Sequence, residues 1–196
     1  GNRIHYEYAH DQGRVCRNNT TVYHETYLSR ISYNFDPYGN ALTKVEFDRS
    51  SRKDHYAHEV DTRYPKSFEQ LQKLDAIRVY QKVGGQWQEA HAYFLSYDYT
   101  TTQDHKPQDS PQAKLTLRSA QSCGVGMAYV CLPATIFDYW SPDPSQVGRN
   151  RLKSVANGYG GEVQYNYEVV STINEYRNRV VSRVVTDGLG SSGTAS

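Results

Sequence analysis

The chain holds one Met in 196 residues and few Leu, which disfavours a helical bundle. It has no charge of one sign to spare: 22 basic side chains face 21 acidic ones, for a net charge of +1. That balance gives no electrostatic reason to expect nucleic acid or an anionic membrane as a partner. No apolar run approaches the roughly 20 residues that a membrane span needs. Three Cys (Cys16, Cys123 and Cys131) are too few for a disulfide scaffold and lack zinc-site spacing. Cys123 and Cys131 lie close enough to bridge a hairpin-like segment; two reduced, half-buried thiols are the equal alternative.

A hydrophobic fraction of 37% and a mean hydropathy of −0.79 would suit a disordered chain. The 18 Tyr argue the other way, because disordered segments lack aromatics. Tyr suits a pleated, half-wet surface, with its ring packed and its hydroxyl in water. The length is enough for one sizeable domain with a core.

Period two dominates the chain. Ile4, Tyr6 and Tyr8 share one face, opposed by Arg3, His5 and Glu7. Ile31, Tyr33 and Phe35 repeat the pattern against Arg30, Ser32 and Asn34. Asp36-Pro37-Tyr38-Gly39-Asn40 is turn chemistry, with Pro presetting φ and Gly39 free to take φ > 0. Thr43, Val45 and Phe47 then alternate with Lys44 and Glu46, which completes a hairpin. The same grammar returns in Ala76–Tyr80, the Gly84-Gly85 turn, and Tyr93, Leu95, Tyr97 and Tyr99. It returns again in Leu152–Val155, the turn Asn157-Gly158-Tyr159-Gly160-Gly161, and Val163, Tyr165 and Tyr167. Val180–Val185 leads to a last turn at Asp187-Gly188-Leu189-Gly190. The spacing is uneven, so the repeat is degenerate and not a fixed-period solenoid. Two irregular loops are expected, at about 48–73 and 101–112. A hint of helix at Ser67–Leu71 is too weakly capped to outweigh a long loop plus a strand. Gly1-Asn2 reads as the tail of a turn and Asp187–Gly190 as a turn awaiting its second strand. The expectation is a segment of a longer β-protein, whose open edges would associate.

The phrases GNRIHYEY (1–8), YLSRISYNFDPYGNALTKVEF (27–47), LDAIRVYQKVGG (74–85) and AYFLSYDY (92–99) resemble RHS/YD-repeat proteins. So do LTLRSAQSCGVGMAYVCLPATIFDYW (115–140) and RLKSVANGYGGEVQYNYE (151–168). The resemblance is closest to the RHS-like shell, the middle region, of the insecticidal Tc toxin B component. Its most specific part is Cys131-Leu132-Pro133-Ala134-Thr135-Ile136-Phe137, similar to a CLPPTTF phrase of those proteins.

The resemblance implies an all-β fold: antiparallel hairpins forming a strip of a spiralling shell, with little or no helix, and 1–196 a single segment of it. It implies a non-enzymatic wall that sequesters a C-terminal or partner toxin and helps deliver it, in a secreted or cell-surface bacterial protein acting in virulence. Its partners would be the remainder of the polypeptide, the enclosed cargo and other toxin-complex subunits, with no nucleic acid, membrane span, cofactor or metal. The residues expected to matter are then structural: Tyr6, Tyr8, Tyr33, Gly39, Tyr97, Tyr99, Cys123, Cys131, Pro133, Gly160, Gly161, Tyr165, Tyr167 and Gly188. The family's own catalysis is aspartyl self-cleavage in a C-terminal core. Asp36-Pro37-Tyr38-Gly39 carries an Asp-Pro-x-Gly phrase like that site's, but it stands at a plain hairpin turn.

Other chemistry is poorly signalled. His55-x-x-His58-Glu59 is the best metal-like cluster, but its two His have no evident third ligand and lack the H-E-x-x-H order, and it reads as a solvated loop. The closely spaced glycines at 158–161 precede a strand and not a helix, which disfavours a phosphate cradle. No Gly-x-Ser-x-Gly and no marked carboxylate pair point to a hydrolase. Asn18-Asn19-Thr20-Thr21 carries overlapping glycosylation sequons, which matter only in a eukaryotic secretory host. The alternative of a different class is a bacterial surface adhesion or carbohydrate-binding β-domain, with Trp87 and Trp140 as stacking platforms. The alternation leaves open which face Trp140 takes.

Overall fold

Alternating residues become strands throughout. The computed structural model describes residues 3–15, 21–52, 72–100, 114–125, 128–141, 147–148, 150–172, 175–189 and 192–195. Every regular element among them is a β-strand, and all the pairings are antiparallel. Cys16, the sequon at 18–20, His55, His58, Glu59, Ser67–Leu71 and the loop at 101–112 lie outside the described residues.

The chain forms two compact units. The first comprises Gly1–Phe94 with Ser122–Val130. In it, β1 (Ile4–Val15), β2 (Thr21–Phe35), β3 (Ala41–Ser51), β4 (Gln72–Val83) and the first part of β5 (Gln86–Thr100) pair in chain order. The second comprises Leu95–Gln121 with Cys131–Ser196. Its strand order is the rest of β5, then β6 (Lys114–Val125) as far as Gln121, β8 (Thr135–Tyr139), β9 (Leu152–Ala156), β10 (Glu162–Thr172), β11 (Glu175–Thr186) and β12 (Ser192–Ala195). The short β7 (Tyr129–Cys131) pairs with β6, off this path.

The strands run longer than their apolar alternation. β3 continues through Asp48 to Ser51 and β4 begins at Gln72, so both ends of the segment expected to be irregular, 48–51 and 72–73, lie in strands. The cause is pairing across the strands. Asp48 lies opposite Ala76 and Ser51 opposite Gln72, and backbone hydrogen bonding carries polar residues that local pattern would leave in a loop. Register shifts at Glu7/Tyr8, Asp48/Arg49, Val79/Tyr80 and Asn166/Tyr167 mark bulges, which add twist and change which residues face one another.

The buried positions among the described residues are small. In the first unit they are Ser32, Thr43, Ala76, Ala92 and Cys123; in the second, Ser154 and Gly148. Large side chains lie half-buried or exposed along the strands, so stabilisation comes mostly from cross-strand neighbours.

Candidate functional site

In the first unit, register turns the polar face into a ladder of charge. Glu7 on β1, Arg30 on β2, Glu46 on β3 and Arg78 on β4 stand directly opposite one another in series. Arg30 donates from Nε and Nη2 to Glu46 Oε1 at 3.0 and 2.8 Å, and from Nη1 to Glu7 Oε2 at 3.3 Å. Lys44 Nζ reaches the same Glu46 oxygen at 2.8 Å. Burial works against the Glu46 carboxylate, but the bonds from Lys44 and Arg30 outweigh it and hold its pKa below the ordinary value.

Arg78 is the hub of the next rung. Its Nε donates to Asp48 Oδ2 at 2.6 Å, and its Nη1 to the two Glu89 oxygens at 3.1 and 3.0 Å. The same Nη1 donates to the Tyr129 hydroxyl at 2.6 Å, and that hydroxyl donates on to Glu89 Oε1 at 2.8 Å. The hydrogen bond to Asp48 leads the causes that raise the Arg78 pKa further. Aromatic rings floor the network: the Arg78 guanidinium lies 5.4 Å from the Phe94 centroid, and Phe94 meets Tyr129 edge-on at 5.2 Å.

The second unit has its own ladder. Arg118 Nε donates to Asp98 Oδ2 at 2.5 Å, and Arg118 Nη1 lies 3.7 Å from Asp138 Oδ1. Lys153 Nζ donates to Asp138 Oδ2 at 3.2 Å. The sequence of signs is again acid, base, acid, base. Arg118 stands over Tyr139 at 5.4 Å and Lys153 over Trp140 at 5.7 Å. Here packing does more. Trp140 Nε1 donates to the Tyr165 carbonyl at 3.2 Å, and the Tyr167 hydroxyl to the Leu152 carbonyl at 2.8 Å. Gly148 lies against both rings: a Cβ there would sit 2.9 Å from Tyr167 and 3.2 Å from Trp140. Farther along, Glu168 on β10 pairs with Arg179 opposite it on β11.

Three of the hairpin tips share one device. Asp36 Oδ1 accepts the N–H of Tyr38 at 2.9 Å and of Asn40 at 2.8 Å, and its Oδ2 accepts the Asn40 side-chain amide at 3.0 Å. Those bonds, that from the Asn40 side chain foremost, lower the Asp36 pKa. A carboxylate held ionised inside its own turn is a clamp, consistent with the plain-turn reading of Asp36-Pro37-Tyr38-Gly39. Asn157 and Asp187 repeat it, each accepting the N–H two residues on, from Tyr159 and Leu189, at 2.8 Å.

The expected structural residues fall into three groups. In the second unit Gly160 lies against Gly188, Gly161 against Asn157, and Pro133 against Gly158. A Cβ on Gly188 would lie 2.6 Å from the Gly160 carbonyl carbon, and one on Gly158 would lie 2.6 Å from Pro133 Cβ. Gly39 takes φ +85° with nothing within 4 Å of a Cβ. The Tyr are half-buried at 33, 97, 99, 165 and 167, but Tyr6 and Tyr8 are exposed at 50% and 57%. Five of them have aliphatic or polar residues opposite: Tyr6 faces Ile31, Tyr8 faces Leu28, Tyr33 faces Ile4 and Thr43, Tyr165 faces Arg183 and Tyr167 faces Val180. Cys123 is fully buried and Cys131 exposed, and both are disulfide-bonded. Trp87 is 38% exposed, with Lys44 and Lys82 Nζ 4.9 and 5.8 Å from its ring centre. Trp140 is half-buried and anchored through its indole N–H.

No family model matches the sequence, and no curated protein does. The whole chain does align with one in the crystal structure of TcdB2-TccC3-TEV, at a TM-score of 0.50 and 12% identity. The likeness is one of fold. This chain spans 11% of the length of that one. The crystal structure of TcdB2-TccC3-Cdc42 is also similar, with 14% identity over 91% of this chain and 11% of that chain, at a TM-score of 0.47.

Sequence reasoning passed over the charge ladders. Their members were visible as the residues opposing the Tyr and Ile stripes. Alternation says that Arg30 and Glu46 leave the apolar face, but not that they meet; that takes the register. Among the described residues no group of three or more His, Cys, Asp or Glu is placed to hold a metal. Among the described residues, too, no helix is long and apolar enough to cross a membrane.

Proposed function

We propose that this chain is a stretch of non-enzymatic wall in a larger β-shell, which encloses a toxin and helps deliver it. The observation that carries the reading is the fold likeness to TcdB2-TccC3-TEV over 100% of this chain, at 11% of that one. A segment of wall is what such coverage supports. The YD-type phrases and the CLPATIF segment of the sequence point the same way.

In this reading the mechanism is confinement. A ladder of antiparallel strands satisfies its backbone groups along its whole length and, once continued into neighbouring strands, leaves no edge open to proteases or aggregation. Cross-strand ion pairs and stacked cations stiffen a sheet whose buried residues are small. The partners are the rest of the same polypeptide, an enclosed toxin cargo and other toxin-complex subunits, in a secreted or cell-surface bacterial setting.

The test is to read the gene on both sides of this segment. Further hairpin phrases, then a C-terminal core and a variable domain, support the shell. Flanks that encode unrelated catalytic or anchoring domains sink it. The carbohydrate-binding alternative rests on the exposure of Trp87 at 38%, and two lysines already stand over that ring. A glycan array run with Trp87→Ala alongside the natural chain decides it.

A further inference from the structure

The tip between β9 and β10 contains Asn157-Gly158, both exposed. Glycine after asparagine leaves the next backbone nitrogen without a neighbouring Cβ to shield it. The Asn157 side chain is also held in place. Its Oδ1 accepts the N–H groups of Tyr159 at 2.8 Å and Gly161 at 3.0 Å. Two main-chain donors on one amide oxygen draw electrons from Cγ, and they stand ready to stabilise negative charge on that oxygen, as an oxyanion hole does.

We propose that Asn157 is a self-modifying site, at which the folded turn promotes loss of the side-chain amide. The Gly158 backbone nitrogen attacks Asn157 Cγ and gives up its proton. Charge collects on Oδ1 beneath the two N–H groups. The Cγ–Nδ2 bond then breaks, and Nδ2 takes up a proton and leaves as ammonia. A five-membered imide remains, and water opens it at either carbonyl to give aspartate or isoaspartate. The net change is amide plus water to acid plus ammonia, with no oxidant or reductant.

The tip is built to accept the first product. Asp36 and Asp187 already occupy the equivalent place in two other tips, where each accepts the N–H two residues on. Isoaspartate is different, because it lengthens the main chain by one carbon. The tip has no slack for that: Gly158 sits so close to Pro133 that a Cβ would lie 2.6 Å from the Pro133 Cβ. Isoaspartate therefore displaces the exposed Tyr159, while either product adds a negative charge to the tip.

The experiment incubates the full chain at mildly alkaline pH, native and in concentrated urea, and follows the tryptic peptide 154–177 by fragment mass spectrometry. Asn166 in the same peptide is an internal control; it is followed by Tyr and its amide donates to Ser182 Oγ at 3.0 Å. The expected result is conversion of residue 157 to acid at least as fast in the native sample as in urea, with the Asn166 amide retained. Asn157→Ser keeps a turn-capping oxygen and should lose the signal. A native sample that keeps its Asn157 amide while the urea sample converts overturns the proposal, because the turn then shields the site.

Discussion

The two units solve one problem with different emphasis. Each needs to hold long strands together where the buried residues are small, and each strings alternating charges across its strands. In the first unit the ladder is saturated: Arg78 alone serves Asp48, Glu89 and Tyr129. In the second, Arg118 is close to Asp98 but 3.7 Å from Asp138, and close packing supplies the rest. Trp140 and Tyr167 fold over Gly148, and the tips touch through Gly160 and Gly188. Ion pairs on a half-wet face are individually weak, so a sheet either networks them or adds glycine contacts that no larger residue permits.

The largest expected effect tests the glycine side of that contrast. Gly188→Ala places a methyl 2.6 Å from the Gly160 backbone at φ +80°, and should cost about 2–4 kcal/mol by urea unfolding. Gly39→Ala is its counterpart in the first unit. With nothing within 4 Å of the new Cβ, it bears only the left-handed backbone cost of about 1–2 kcal/mol. Equal losses would show that the tip contact between Gly160 and Gly188 is not close-packed in solution.

Next comes the hub. Arg78→Ala strips two carboxylates and a hydroxyl of their shared donor and should cost about 1–3 kcal/mol. Arg118→Ala, with partners 37% and 48% exposed, should cost about 0.5–1 kcal/mol. Hydrogen exchange would show the first loss confined to β3–β5 and the second to β6–β9. A reversed order would mean that the ladder of the first unit is not the stronger one.

The smallest effect is on pH dependence. The folded-state pKa of Glu46 lies below its ordinary 4.5. Its contribution is therefore complete above that ordinary value and is lost as pH falls through the lowered one. Glu46→Gln should flatten the acid limb of stability for the first unit, by about 1 kcal/mol or less. An unchanged acid limb would show that Glu46 carries no net coupling there.

Much of this was legible in the residues. The stripe Ile31, Tyr33, Phe35, the turn Asp36–Asn40 and the stripe Thr43, Val45, Phe47 announce a hairpin, and the structure has one. The all-β, antiparallel character follows from the same reading. Strand ends were harder: Asp48–Ser51 has loop-like composition but pairs with β4. The ladders were hidden for a related reason, since Arg78 and Tyr129 are far apart in sequence and one bulge near Val79 changes which residue opposes which.

The sequence alone determined that the chain would be strands and turns. Period two and φ-permissive Gly or Asn at the tips are local properties, enforced by backbone sterics within a few residues. Only the tertiary structure decided register: that Arg30 would lie between Glu7 and Glu46, that Arg78 would gather Asp48, Glu89 and Tyr129, and that Gly160 would touch Gly188. Alternation states which face a side chain takes and is silent about what stands opposite, because sliding a strand by two residues preserves every face and changes every partner.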